Sequence, residues 1–133
     1  MRGKKRPTLP DGVSVVVEIL EAEEVFGNFG PQLRIKVKVV GGKYRGYEFF
    51  DYSKLTKDEK TGEIYYELGT KTESIFAAAF DAEDYSYEDD HDPGELVGKR
   101  FMSRIGLAGK NQDRNRLEYG TIGPDPNAGE DAA

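Results

Sequence analysis

The stretch from Gln32 to Val40 constrains the fold most, because apolar and polar side chains alternate along it. A period of two is typical of a strand with one face in a core and the other in water. The apolar set is Leu33, Ile35, Val37 and Val39, and the polar set is Gln32, Arg34, Lys36 and Lys38. The alternation therefore predicts a half-buried strand with a basic outer face.

The residues around this strand predict the order of the other strands and of one helix. Gly41-Gly42 is a two-residue hairpin signal, and it predicts a returning strand over 43–52. Thr70 and Glu73 have capping-box spacing ahead of an apolar run, which predicts a helix at about 71–81. Apolar alternation predicts further strands over 12–24, 98–107 and 116–122, and a minor hairpin is expected around 60–62.

Three strands, one helix and two strands form the order of the OB-fold, a five-stranded Greek-key barrel (β1-β2-β3-α-β4-β5). A five-stranded open sheet with one helix is the alternative. We expect a basic N-terminal arm over 1–11, the OB-fold domain over 12–123 with an acidic insertion at 81–95, and an acidic, disordered tail over 124–133.

Composition excludes whole classes of site. The chain has no cysteine and one histidine, which excludes disulfide scaffolds, thiolate zinc sites and multi-histidine metal sites within one chain. No apolar run exceeds six residues, and the basic start leads into prolines, so neither a membrane span nor a secretory signal is predicted. We expect a non-enzymatic, soluble protein of a reducing compartment, without metal or cofactor.

Charge is segregated along the chain. Residues 81–95 hold eight acidic and no basic residues, and 124–133 hold three acidic ones, so the remaining chain carries +5 despite the overall charge of −6. Local fields decide contacts with charged partners. The acidic total therefore argues only weakly against nucleic acid.

Pairing the second and third strands through a two-residue turn sets Lys36 opposite Tyr47 and Arg34 opposite Phe49. Cations interleaved with rings are what single-stranded nucleic acid requires. The predicted face and its flanking loops collect Arg34, Lys36, Lys38, Arg45, Tyr47, Phe49, Phe26, Phe29, Lys110, Arg114 and Arg116. A three-residue turn would instead bring Tyr44, Phe50 and Tyr52 outward, and alternating cations also serve simply to keep a strand soluble.

Three segments resemble the small OB-fold single-stranded-DNA-binding proteins of bacteriophages. They are LRIKVKVVGGKYRG at 33–46, SIFAAAF at 74–80 and LVGKRF at 96–101, and the similarity spans about residues 12–123. The resemblance implies sequence-tolerant coating of single-stranded DNA in replication or recombination, in the cytoplasm of an infected or host bacterial cell. It also implies an acidic tail that contacts replication or recombination proteins.

Two points stay open from the sequence. An exposed strand edge would allow a homodimer. The alternative function is a non-enzymatic interaction module, an OB-like barrel that docks a replication or virion partner without affinity for DNA.

Overall fold

The computed structural model describes residues 1–4, 7–80 and 85–126. Its main elements are five strands and one helix: β1 (Ser14–Gly27), β2 (Gly30–Val39), β3 (Glu48–Lys54), α1 (Lys71–Ala79), β6 (Arg100–Ala108) and β7 (Arg114–Leu117). Three two-residue strands add to these: β4 (Thr56–Lys57), β5 (Ile64–Tyr65) and β8 (Gly123–Pro124). A 3-10 turn covers Pro93–Leu96.

The principal sheet is antiparallel and runs in the order β3-β2-β1-β6-β7, with β8 pairing to β6. The end strands β3 and β7 lie beside each other, so the sheet curves into a barrel-like shape. A mainly β fold with one helix is thus confirmed. The β4–β5 hairpin forms around the predicted turn, where the Asp58 carboxylate accepts from the backbone N–H groups of Lys60 and Thr61.

The core lies inside the curved sheet and under α1. Alternate residues of each strand face it, as the period of two predicts. The fully buried large side chains include Val17, Ile19, Leu33, Ile35, Val37, Ile75, Leu96, Phe101, Ile105 and Leu117. Thr70 caps the N-terminus of α1: its side chain accepts from Glu73 N–H at 3.3 Å, and the Glu73 carboxylate accepts from Gly69 N–H at 2.9 Å. The capping prediction is confirmed.

A β-bulge interrupts β1 between Ile19 and Glu21. Before the bulge, Val17 and Ile19 face the core opposite Val39 and Val37; after it, Glu21 pairs with Lys36. A bulge adds one residue to its strand and so exchanges the two faces beyond it. The bulge therefore places the Glu21 side chain on the outer face of the sheet, although strict alternation from Val17 and Ile19 would have pointed it into the core.

Both predicted terminal segments contribute to the described fold. Leu9, inside the predicted arm, is 3% exposed and packs in the core. Asn115 fixes it, because its Oδ1 accepts from Leu9 N–H at 2.8 Å and its Nδ2 donates to Leu9 C=O at 3.1 Å. At the other end, Pro124 pairs with Phe101 and Asp125 is buried, so the sheet extends into the predicted tail. Residues 127–133 lie outside the described part.

Candidate nucleic-acid interface

The basic outer face of β2 forms as the alternation predicts. Arg34, Lys36 and Lys38 are half-buried and lie on the face opposite the buried Leu33 and Val37. Each is flanked on one side by β1 and on the other by β3. The neighbours on those two strands therefore decide what this face can bind.

The predicted register between β2 and β3 is wrong. Lys36 pairs with Phe50 and Arg34 with Tyr52, so the rings that share their face are Phe50 and Tyr52. Each of these two residues is 43% exposed. The Arg34 guanidinium lies 5.3 Å from the centre of the Phe50 ring, and the Lys36 ammonium lies 5.6 Å from it. Cations and aromatic rings do alternate on this face, but the rings are Phe50 and Tyr52 instead of the predicted Tyr47 and Phe49.

The connection between β2 and β3 causes this difference in register. It does not turn at Gly41-Gly42 alone: the chain continues to a second turn, where Gly46 N–H donates to Val39 C=O and Val39 N–H to Tyr47 C=O. Gly46 has a φ of +94°, which L side chains rarely adopt. The longer connection shifts β3 by an odd number of residues and exchanges its two faces.

The two rings predicted to stack bases consequently leave the outer face, although both border the groove described below. Phe49 is 9% exposed and belongs to the core, so its expected place on the outer face is wrong. Tyr47 is half-buried, and its hydroxyl donates to Pro7 C=O at 2.8 Å and lies 3.1 Å from Asn115 Oδ1. Arg45 is exposed on the connection rather than on the β2–β3 ladder.

Carboxylates neutralise much of the β2 face. Lys36 Nζ lies 3.4 Å from Glu48 Oε1 and 3.7 Å from Glu21 Oε2, and Arg34 forms an ion pair with Glu23. Exposed pairs of this kind add little stability, typically below about 1 kcal/mol. Their effect on a ligand is larger, because a phosphate has to compete with a carboxylate for each of these cations.

A groove of about 620 Å³ runs between β3 and β7 and offers a better-suited surface. Phe50 and Tyr52 line it from β3, and the exposed Arg114 and Arg116 line it from β7. Lys36 and Glu48 also line it, at the border with the β2 face, and Asp113 lines it just before β7. Rings therefore face arginines across a channel open to solvent, which is the chemistry of a single-stranded nucleic-acid site.

Asp51 forms the floor of this groove. It is 3% exposed, and its Oδ1 accepts from Lys71 Nζ at 2.8 Å and from Leu117 N–H at 3.0 Å. Burial raises the pKa of Asp51, against the opposing effects of Lys71, the Leu117 N–H and the nearby Arg116. The carboxyl group thus joins β3 to β7 and to the first residue of α1, and it fixes the separation of the groove walls.

The loops at the ends of the strands carry the remaining predicted residues. Phe26 and Phe29, at the end of the β1–β2 hairpin, are 70% and 99% exposed. Lys110 is exposed in the turn before β7. That turn requires glycine at 109, since φ is +91° and a Cβ there would meet Asp113 Oδ1 at 2.6 Å. Both loops leave side chains available to a ligand, but only β7 itself lines the groove with arginines.

The described part of the acidic insertion packs beside α1. Tyr85 and Tyr66 share a hydrogen bond of 2.6 Å between their hydroxyls, and the Phe80 and His91 rings stack with centres 4.3 Å apart. The proton of the half-buried Tyr85 hydroxyl is held more tightly than usual, because partial burial and the hydrogen bond with Tyr66 both raise its pKa. Residues 81–84 lie outside the described part. The contacts of 85–91 place this segment against the helix and not over the β2 face.

Sequence reasoning missed Phe50, Tyr52 and Asp51 as parts of one site. The first two were present in the alternative register, and only the length of the turn decided between the registers. Asp51 gave no signal, since a lone acidic residue between aromatics has no periodic pattern.

No family model, curated protein or solved structure matches this chain. In the described residues, no helix has the length and apolar character needed to cross a bilayer.

Proposed function

We propose that this protein binds single-stranded DNA, largely independently of base sequence, in the groove between β3 and β7. The observation that carries the proposal is the pairing of Phe50 and Tyr52 on one wall with Arg114 and Arg116 on the other. Stacking on a ring contributes about 1–3 kcal/mol per base and tolerates any base. Arginines across the groove would contact the phosphates between stacked bases.

The strand order supports the finer proposal of an OB-fold. Strands β1, β2 and β3 precede α1, and β6 and β7 follow it, in the neighbour order β3-β2-β1-β6-β7 with β3 beside β7. An OB-fold closes the same path and binds oligonucleotides on its second and third strands and the loops beside them. The exposed Phe26 and Phe29 on the first of those loops, and Lys110 on the last, would extend the binding surface at either end of the groove.

A role in phage replication or recombination is part of the proposal and rests on the sequence resemblance alone. The acidic tail as a contact for replication or recombination proteins, and a homodimer through an exposed edge, stay predictions. The interaction-module alternative is favoured by one observation. Apolar side chains of Tyr65, Leu68 and Tyr119 are 40–59% exposed, and the Tyr119 hydroxyl bonds to Gly69 C=O beside Leu68.

A salt titration of fluorescein-labelled oligo-dT by anisotropy tests the proposal. Four phosphate contacts predict that log affinity falls with log salt at a slope of roughly −3 for a single strand. Replacing Arg114 and Arg116 with glutamine should reduce this slope to roughly −1.4.

The matched control replaces two exposed cations of the β4–β5 hairpin region, Lys57 and Lys60, with glutamine. The change in net charge is the same, and we expect the slope to stay near the wild-type value. Binding that is absent, independent of salt, or reduced equally by both double variants would reject the groove as the site and favour the interaction module.

A further inference from the structure

Carboxylates alternate with the cations of the outer face next to the groove. Glu21 and Glu23 of β1 flank Lys36 and Arg34 on one side, and Glu48 of β3 flanks Lys36 on the other. One step further along, Glu18 Oε1 accepts from Arg100 Nε at 3.1 Å. This outer face thus carries nearly equal numbers of opposite charges. Lys36 and Glu48 also line the groove, together with Arg114 and Arg116 of β7, whereas Glu21 and Glu23 lie outside its lining.

The position of these acids follows from the bulge in β1. Had the alternation of Val15, Val17 and Ile19 continued, residues 21 and 23 would face the core. The bulge turns both outward, and their side chains are 62% and 52% exposed, so their charge also faces solvent. Any phosphate that approaches Arg34 or Lys36 comes within a Debye length, about 8 Å, of a carboxylate.

We propose that Glu21 and Glu23 determine the selectivity of the site, by excluding duplex DNA from the face beside the groove. The inference rests on the proposed function. A single strand in the groove needs one row of phosphate contacts, which β7 supplies. A duplex carries one charge per about 1.7 Å of its axis, and its second strand would have to lie over a neighbouring surface. On the β2 side, the cations of that surface already form ion pairs with neighbouring carboxylates.

The experiment compares binding of labelled oligo-dT with binding of a labelled hairpin duplex of equal phosphate number, at low and at moderate salt. The variant is E21Q/E23Q, which keeps the shape of each side chain. The control is E88Q/D89N, which removes two exposed acids from the segment beside α1. Both variants change the net charge by +2, and circular dichroism melts establish that each is folded.

We expect E21Q/E23Q to raise duplex affinity by about tenfold or more and oligo-dT affinity by less than about threefold. Arg34 then becomes available to the duplex, whereas Lys36, which lines the groove, keeps Glu48 as its partner. The control should raise both affinities by one small, common factor. The single variant Glu48→Gln removes one partner of Lys36 within the groove, so we expect it to raise the affinities for oligo-dT and for the duplex alike.

An equal gain for both ligands in E21Q/E23Q, or no gain for the duplex, would overturn the inference while leaving single-strand binding intact. Wild-type protein that does not bind oligo-dT would refute the proposed function itself, so the two failures are distinguishable.

Discussion

Replacing Asp51 with alanine should destabilise the protein strongly, because one carboxylate joins β3, β7 and α1. The change removes the acceptor of two hydrogen bonds, from Lys71 Nζ at 2.8 Å and from Leu117 N–H at 3.0 Å. Leaving one partner of a buried ion pair alone costs about 3–5 kcal/mol. The Lys71 side chain is 17% exposed and keeps some contact with water, so we expect a loss near the lower end, about 3 kcal/mol.

Urea unfolding at pH 7, followed by far-ultraviolet circular dichroism, measures this loss. With a denaturant dependence of about 1–3 kcal/mol per molar, the midpoint should fall by at least about 1 M. Ser53→Ala is the matched control: Ser53 lies two residues further along the same buried face of β3, and its hydroxyl has no hydrogen-bond partner in the described residues. We expect the control to change stability by less than about 0.5 kcal/mol. Equal losses for the two variants would refute the reasoning.

Three further outcomes follow from the same contacts. Burial raises the pKa of Asp51, so the folded protein binds a proton that the unfolded chain releases, and this group's contribution to stability falls as pH rises from about 4. In urea titrations the difference in unfolding free energy between wild type and Asp51→Asn should therefore shrink as pH rises, and a constant difference would contradict the raised pKa. Phe50→Leu with Tyr52→Leu should weaken oligo-dT binding by at least about 1 kcal/mol per ring with an unchanged salt slope, and a slope that changes with the rings would count against stacking. Asn115→Ala should cost about 1–3 kcal/mol and accelerate hydrogen exchange at the Leu9 amide, which loses its acceptor; an unchanged rate would show that Asn115 does not hold this segment.

Much of the fold was predictable because its signals are local. The alternation of β2 gave the strand and its basic face, since a period of two allows only one set of residues into the core. Thr70 and Glu73 gave the start of α1, since a cap needs only residues three apart. The minor hairpin likewise needed only a turn signal between short strands.

The composition of the site was less predictable because it depends on two shifts of strand register, one residue at the bulge and three residues in the β2–β3 pairing. The bulge in β1 places Glu21 and Glu23 outside, and the long β2–β3 connection places Phe50 and Tyr52 outside. Each shift exchanges the two faces of a strand, yet neither leaves a clear local pattern. Asp51 was unpredictable for a related reason: its partners are 20 and 66 residues away along the chain.

Photo-crosslinking of 5-iodouracil-substituted oligo-dT, followed by peptide mass spectrometry, tests most directly whether a single strand lies in the β3–β7 groove. We expect the crosslinks on Phe50 and Tyr52, whose exposed rings line that groove. Crosslinks confined to exposed tyrosines elsewhere, such as Tyr65, Tyr87 or Tyr119, would contradict the proposal.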